Sequence, residues 1–87
     1  MIRRVRTYLW WRRDVRRLQA EALCAYTRWR AAYAGYQAMA EVFRDEPDAW
    51  GATGMIGRAM NAVDDFREQW RSLEARLQRT VDLGPIR

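Results

Sequence analysis

Apolar side chains recur along the first half of the chain at alternating spacings of three and four residues. The pattern runs from residue 8 to residue 43, and no strand-like alternation of apolar and polar residues competes with it. Such a repeat is typical of a helix that packs along its length against another helix. The positions of this first seam are Tyr8, Trp11, Val15, Leu18, Ala22, Ala25, Trp29, Ala32, Tyr36, Met39 and Phe43.

The second half of the chain repeats the pattern after a segment rich in helix breakers. One Pro and three Gly cluster between residues 46 and 57, whereas residues 58–83 contain neither. An antiparallel hairpin is the simplest arrangement in which two helices joined by a short connection bury both apolar seams. The positions of the second seam are Ile56, Ala59, Val63, Phe66, Trp70, Leu73, Leu77 and Thr80.

We therefore predict one all-α domain over residues 1–87, an antiparallel helical hairpin with a long first helix, a shorter second helix and a short capped turn. In this arrangement the second helix ends opposite residues 16–20, and Trp50 closes the end of the hairpin as a plug. A chain this short buries a modest core, so we expect it to complete a bundle by oligomerisation or with a partner. The predicted segments are a basic aromatic overhang of helix 1 (1–17), the rest of helix 1 (18–45), the joint (46–57), helix 2 (58–83) and a tail (84–87).

The positive charge is concentrated at the N-terminal end of the first helix. All 16 basic residues are Arg, and residues 1–17 carry a net charge of +6 against −1 for the remaining 70 residues. Helical spacing places four of these Arg, with one Trp among them, on the stripe opposite the first seam. Such a surface suits phosphates or an acidic protein, and a solvated helix face is the alternative. The members of this arginine stripe are Arg3, Arg6, Trp10, Arg13 and Arg17.

Small side chains continue the outward-facing stripe beyond Arg17. In helical register they let a second helix approach closely, which favours self-association or a partner helix along this face. The alternative is that Ala is the best helix former and needs no contact there. Leu23, Tyr26 and Tyr33 lie beside or beyond the first seam and widen the apolar band past what one facing helix covers. The members of this outward stripe are Ala20, Cys24, Thr27, Ala31, Ala34 and Ala38.

The residue types limit the chemistry that the chain can perform. It has no His and one Cys, which excludes a His-based catalytic triad and a zinc site of the Cys/His type. Asp64 and Asp65 lie on the polar face of the second helix, where carboxylates are solvated rather than catalytic. The Gly spacing in the joint lacks the Lys and the preceding strand of a phosphate-binding loop. We therefore expect no enzyme activity, no cofactor, no metal and no small-molecule substrate.

The N-terminal segment lacks the features of a membrane or export sequence. No run of about 18 apolar residues is present, Arg surrounds the helix on all sides, and the apolar core of a secretory signal is missing. We expect a cytoplasmic protein, or one inside an assembly formed there, that does not bind membranes. The leading hypothesis is a non-enzymatic helical interaction module, a structural, adaptor or inhibitor subunit whose small size suits a phage or mobile-element product. The alternative is a nucleic-acid-binding protein that uses the Arg/Trp-rich N-terminal helix on phosphates.

Overall fold

Two long helices lie side by side, as the two seams predict. The computed structural model describes residues 2–46 and 51–85, and the side chains of residues 6–46 and 51–85. Helix α1 spans Ile2–Val42 and helix α2 spans Ala52–Leu83, and no strand occurs in these described ranges. The helices pack antiparallel along each other and form a rod with extents of 68 × 15 × 14 Å. The all-α helical hairpin is therefore confirmed.

The two seams face each other along the rod. Every first-seam position is at least partly buried except Tyr8, and every second-seam position is at least partly buried. The most enclosed part of α1 carries Leu18, Ala22 and Ala25, which are 3–4% exposed, and Val63 is 4% exposed on α2. Ala at two neighbouring seam positions lets the helices approach closely, which accounts for the burial of this part of α1.

Helix α1 ends at Val42, after which the backbone hydrogen bonds of the α-helix give way to those of a turn. The Phe43 amide still donates to the Met39 carbonyl at 3.1 Å, but the Glu46 amide donates three residues back, to the Phe43 carbonyl at 3.2 Å. The residue before a proline is disfavoured in the helical region, so the chain leaves the helix before position 47. The sequence predicts a helix that continues to residue 45, three residues further. The amides of the predicted capped turn beyond residue 46, and the predicted Trp50 plug, lie outside the described residues.

Helix α2 begins six residues earlier than predicted, at Ala52 instead of residue 58. Gly51 precedes it with φ of 80°, in the left-handed region that Gly enters without the steric penalty of other residues. Ala52 is completely buried, at 0% exposure. Gly54 and Gly57, which the sequence assigns to the joint, lie inside α2. A helical Gly costs roughly 1 kcal/mol relative to Ala, which packing of the surrounding turns against α1 can offset.

The earlier start of α2 shifts the pairing of the helices and shortens the overhang of α1. The indole Nε1 of Trp11 donates a 2.8 Å hydrogen bond to the carbonyl of Thr80. The last turn of α2 therefore lies against Trp11 and not opposite residues 16–20. The 41 residues of α1 exceed the 32 of α2 by nine, so the overhang of α1 is shorter than the predicted residues 1–17.

Gly84 ends α2, in agreement with the predicted helix stop. Its φ is 68°, and its amide donates to the carbonyls of Thr80 at 3.3 Å and Val81 at 3.2 Å. The Thr80 carbonyl is one of the last four of the helix, which have no partner within the helix. Because it accepts from both Trp11 and Gly84, the C-terminal end of α2 is tied directly to α1.

Candidate interaction surfaces

Aromatic side chains join the two helices near the middle of the rod. Trp29 and Trp70 stack with their ring centroids 5.3 Å apart and their planes inclined by 10°, and Tyr26 meets Trp70 edge-on at 5.2 Å. Tyr33 extends the group, with its ring 6.2 Å from that of Trp29. The seams predict that both Trp side chains point inward. They do not predict that the two rings meet, because the pairing depends on where α2 begins.

The two stacked Trp side chains differ in how their N–H groups are satisfied. Trp70 Nε1 donates to a carboxylate oxygen of Glu74 at 3.2 Å, whereas Trp29 Nε1 is buried without a hydrogen-bond partner. An unmatched buried donor costs about 1–3 kcal/mol. Ring stacking and apolar burial therefore hold Trp29 in place against this cost.

A shallow groove opens between the helices on the flank that carries Tyr26. The side chains that protrude from it are apolar, with Leu23 66% exposed and Tyr26 37% exposed. Their exposure agrees with the apolar band predicted beside the first seam, and Tyr33, one heptad beyond Tyr26, is 39% exposed. The contribution of α2 to this groove was not predicted, because Trp70 and Leu77 are seam positions expected to be covered. The groove is lined by Gln19, Ala22, Leu23, Tyr26, Trp70, Glu74 and Leu77.

The arginine stripe lies on an accessible side of α1. Arg6, Arg13 and Arg17 are exposed, and Trp10 is 60% exposed. The guanidinium carbon of Arg13 lies 5.8 Å from the ring centroid of Trp10, which is a cation–π geometry. The structure thus brings together the central pair of the predicted stripe. The side chain of Arg3 lies outside the described residues.

One acidic residue lies within the stripe. The carboxylate of Asp14 is 3.9 Å from the guanidinium of Arg17, and because both side chains are more than half exposed, the pair is weak. Asp14 lines a shallow cleft together with Trp10, Arg13 and Arg17, where it would repel a phosphate. A neighbouring depression contains no acid, so the basic surface extends beyond the predicted stripe. That depression is lined by Leu9, Arg12, Arg13 and Arg16.

All six members of the outward stripe are exposed. Helix α2 packs on the opposite face of α1, so no residue of the described ranges covers them. The Thr27 hydroxyl donates to the carbonyl of Leu23 at 2.9 Å, a bond within α1, and the thiol of Cys24 is free. Packing of a helix on this stripe stays a prediction, since Ala at these positions equally supports α1 itself.

The acidic residues of α2 are dispersed over its solvated face. Asp64 and Asp65 are exposed, as predicted, and Asp64 pairs with Arg67 at 3.3 Å. Within residues 2–46 and 51–85, no group of three or more Cys, Asp or Glu side chains is placed to hold a metal ion. Neither described helix combines the length and the apolar character needed to span a membrane.

No protein-family model matches this chain, and comparison with curated proteins and with solved structures finds no significant match.

Proposed function

We propose that this protein is a non-enzymatic helical interaction module that acts as a structural, adaptor or inhibitor subunit of a larger assembly. The observation that carries the proposal is the small amount of surface that the hairpin encloses. In the part of the chain that the structure describes, no large side chain is fully buried. The buried residues among those described are Leu18, Ala22, Ala25, Ala52 and Val63.

Large apolar side chains remain in water at the same time. Leu23, Tyr26 and Tyr33 keep more than a third of their surface exposed, and Leu23 and Tyr26 border the groove between the two helices. Burying a side chain of this size contributes roughly 1.5–3 kcal/mol. A partner that covers this flank would therefore add to a core that is thin for an independent domain.

The proposal is tested by comparing two variants in affinity purification from native lysate and in light scattering. Leu23→Ser removes an exposed apolar side chain from the groove. The control, Val42→Ser, removes an apolar side chain that is 72% exposed at the end of α1. We expect bound proteins, or self-association, that Leu23→Ser removes and Val42→Ser leaves intact. A monomer that retains no protein, or retains the same proteins in both variants, would contradict the proposal.

A second candidate function, nucleic-acid binding, is favoured by the arginine stripe. The guanidinium of Arg13 lies over the exposed ring of Trp10, and residues 1–17 carry a net charge of +6. Arg side chains contact phosphates, and an exposed indole stacks on bases. This combination supports single-stranded DNA or RNA as the ligand.

This candidate is tested with random-sequence DNA and RNA at two salt concentrations. Deletion of residues 1–17 is unsuitable because Trp11 and Val15 belong to the helix interface. We instead expect Trp10→Ala combined with Arg13→Ala to weaken binding and to reduce its salt dependence. Arg58→Ala, an exposed Arg on α2, serves as the control. Binding that the double variant leaves unchanged, or no binding at low salt, rejects this candidate.

A further inference from the structure

The groove between the helices has an apolar floor that continues for more than one heptad. Leu23 and Tyr26 of α1 border it opposite Trp70 and Leu77 of α2. Tyr33 lies seven residues beyond Tyr26 and is in ring contact with Trp29. Residues one heptad apart occupy the same flank of a helix that packs along its partner. The floor therefore extends toward the bend as an aromatic surface.

The α1 rim of this groove is basic, whereas the α2 rim carries both signs of charge. Leu23 lies on the α1 rim, and the heptad positions before and after it are Arg16 and Arg30, both exposed. Glu74 lies on the α2 rim, and the heptad position toward the bend is Arg67, which is exposed and pairs with Asp64 at 3.3 Å. Both carboxylates on this side of α2 have a partner within the helix, because Glu74 accepts a hydrogen bond from Trp70 Nε1 and Asp64 pairs with Arg67.

The opposite flank of the hairpin has a different character. Its depression on α2 is polar and contains acidic side chains rather than aromatic ones. On α1 the corresponding heptad positions include Asp14 and Glu21, which are exposed. The groove flank is therefore the more apolar side of the molecule, and its α1 rim carries Arg16 and Arg30, where the opposite flank mixes Asp14 and Glu21 with Arg28. The depression on the opposite flank is lined by Asp65, Glu68, Gln69, Ser72 and Leu73.

We propose that the groove binds an amphipathic helix whose apolar stripe is bordered by Asp and Glu. This inference rests on the proposed function and names the chemistry of the partner. The apolar stripe of such a helix covers Leu23, Tyr26 and Trp70, as a third helix completes a bundle. Its carboxylates then meet Arg16 and Arg30, whose planar guanidinium groups bind carboxylates through paired hydrogen bonds.

Charge complementarity distinguishes this partner from a second copy of the same chain. A second copy laid groove to groove would bring a second basic α1 rim to the interface, and like charges at an interface oppose association. The net charge of +5 on each chain adds to this repulsion. An acidic helix is subject to neither the repulsion at the rim nor the repulsion between net charges.

The experiment uses the full-length protein and two synthetic helices of about four heptads, long enough to be helical when bound. Both peptides have Leu at the core heptad positions. One has Glu at the flanking positions and the other has Lys. Fluorescence anisotropy of each labelled peptide is measured against the protein at low and at physiological salt. We expect the Glu peptide to bind at least about tenfold more tightly than the Lys peptide, and this preference to shrink as salt screens the charges.

Two charge reversals on α1 provide a matched comparison. Arg30→Glu changes the rim of the groove, whereas Arg28→Glu makes the same change two residues away on the other flank, and both side chains are exposed. We expect Arg30→Glu to weaken the Glu peptide by about tenfold or more and Arg28→Glu to have little effect. Leu23→Ser is expected to weaken both peptides, since it removes part of the shared apolar contact. Circular dichroism of each variant verifies that the helices remain intact.

Each outcome has a defined meaning. Equal binding of the two peptides, or equal effects of Arg30→Glu and Arg28→Glu, would overturn the acidic-helix assignment. If neither peptide binds and the chain instead forms a dimer that Leu23→Ser disrupts, the occupant is a second copy. The acidic-helix inference then fails while the interaction module stands. If neither peptide binds, the protein is monomeric in light scattering and no protein is retained from lysate, both proposals fail.

Discussion

Replacing the glycines around the start of α2 tests where that helix begins. Gly54 and Gly57 lie inside the helix, and a Cβ atom built on either one meets nothing within 4 Å. Ala at such a site gains about 0.5–1 kcal/mol per position, because Ala loses less backbone entropy than Gly on folding. Gly51, immediately before the helix, has φ of 80°, where an L-residue costs roughly 1–2 kcal/mol.

The expected signs are therefore opposite for neighbouring glycines. Gly54→Ala and Gly57→Ala each raise the free energy of unfolding, and together they add about 1–2 kcal/mol. Gly51→Ala lowers it by a similar amount. For a domain of this size, 1 kcal/mol corresponds to roughly 4–8 °C in Tm, so each shift is measurable by thermal or urea unfolding followed by circular dichroism.

Gly35 supplies the control for this series. It lies inside α1, seven residues before the helix ends at Val42, and its built Cβ also meets nothing within 4 Å. Gly35→Ala is therefore expected to stabilise the protein by about 0.5–1 kcal/mol regardless of where α2 begins. If Gly35→Ala stabilises while Gly54→Ala and Gly57→Ala are neutral or destabilising, α2 does not begin at Ala52. The pairing register derived from that start would then be wrong.

Three further substitutions probe the contacts along the rod. Trp70→Ala removes one ring of the central stack and should lower the free energy of unfolding by about 3–5 kcal/mol. The near-ultraviolet circular dichroism of the stacked rings should be lost as well. A change in the free energy of unfolding below about 1 kcal/mol would mean that the stack does not form. Trp11→Phe removes the hydrogen bond to the Thr80 carbonyl and should lower the free energy of unfolding by about 0.5–1.5 kcal/mol. Amide hydrogen exchange in the last turn of α2 should become faster, and unchanged exchange there would contradict the pairing of Trp11 with Thr80. Asp14→Asn removes the carboxylate beside Arg17 and should strengthen DNA or RNA binding several-fold at low salt. Weaker binding in filter or anisotropy assays would contradict the role given to the arginine stripe.

The residue spacing predicts the hairpin because a heptad repeat shows which face of a helix is apolar and packs against another helix. The same spacing does not specify which residue of α1 meets which residue of α2, since any shift by one heptad keeps both seams buried. That choice depends on the bend, where Gly51, Gly54 and Gly57 look alike in the sequence. Only Gly51 adopts positive φ, and the other two continue the helix. The stacking of Trp29 on Trp70 follows from this choice and could not be predicted without it.

The candidate surfaces were predictable to different degrees for the same reason. The exposure of Trp10 and Arg13 follows from the position of each residue on one helix, and helical spacing is sufficient to predict it. The groove requires both helices in register, so its floor at Trp70 and its acidic neighbour Glu74 became apparent only with the three-dimensional arrangement. The spacing of α1 alone indicated the apolar band at Leu23.

The elongated outline of the hairpin affects how its hydrodynamic behaviour is interpreted. A particle 68 Å long and about 15 Å wide experiences more friction than a sphere of equal mass. On a sizing column calibrated with globular standards, a single copy would consequently elute early and mimic a species of higher mass. Absolute mass determination by scattered intensity or sedimentation equilibrium is therefore required before early elution is attributed to two associated chains.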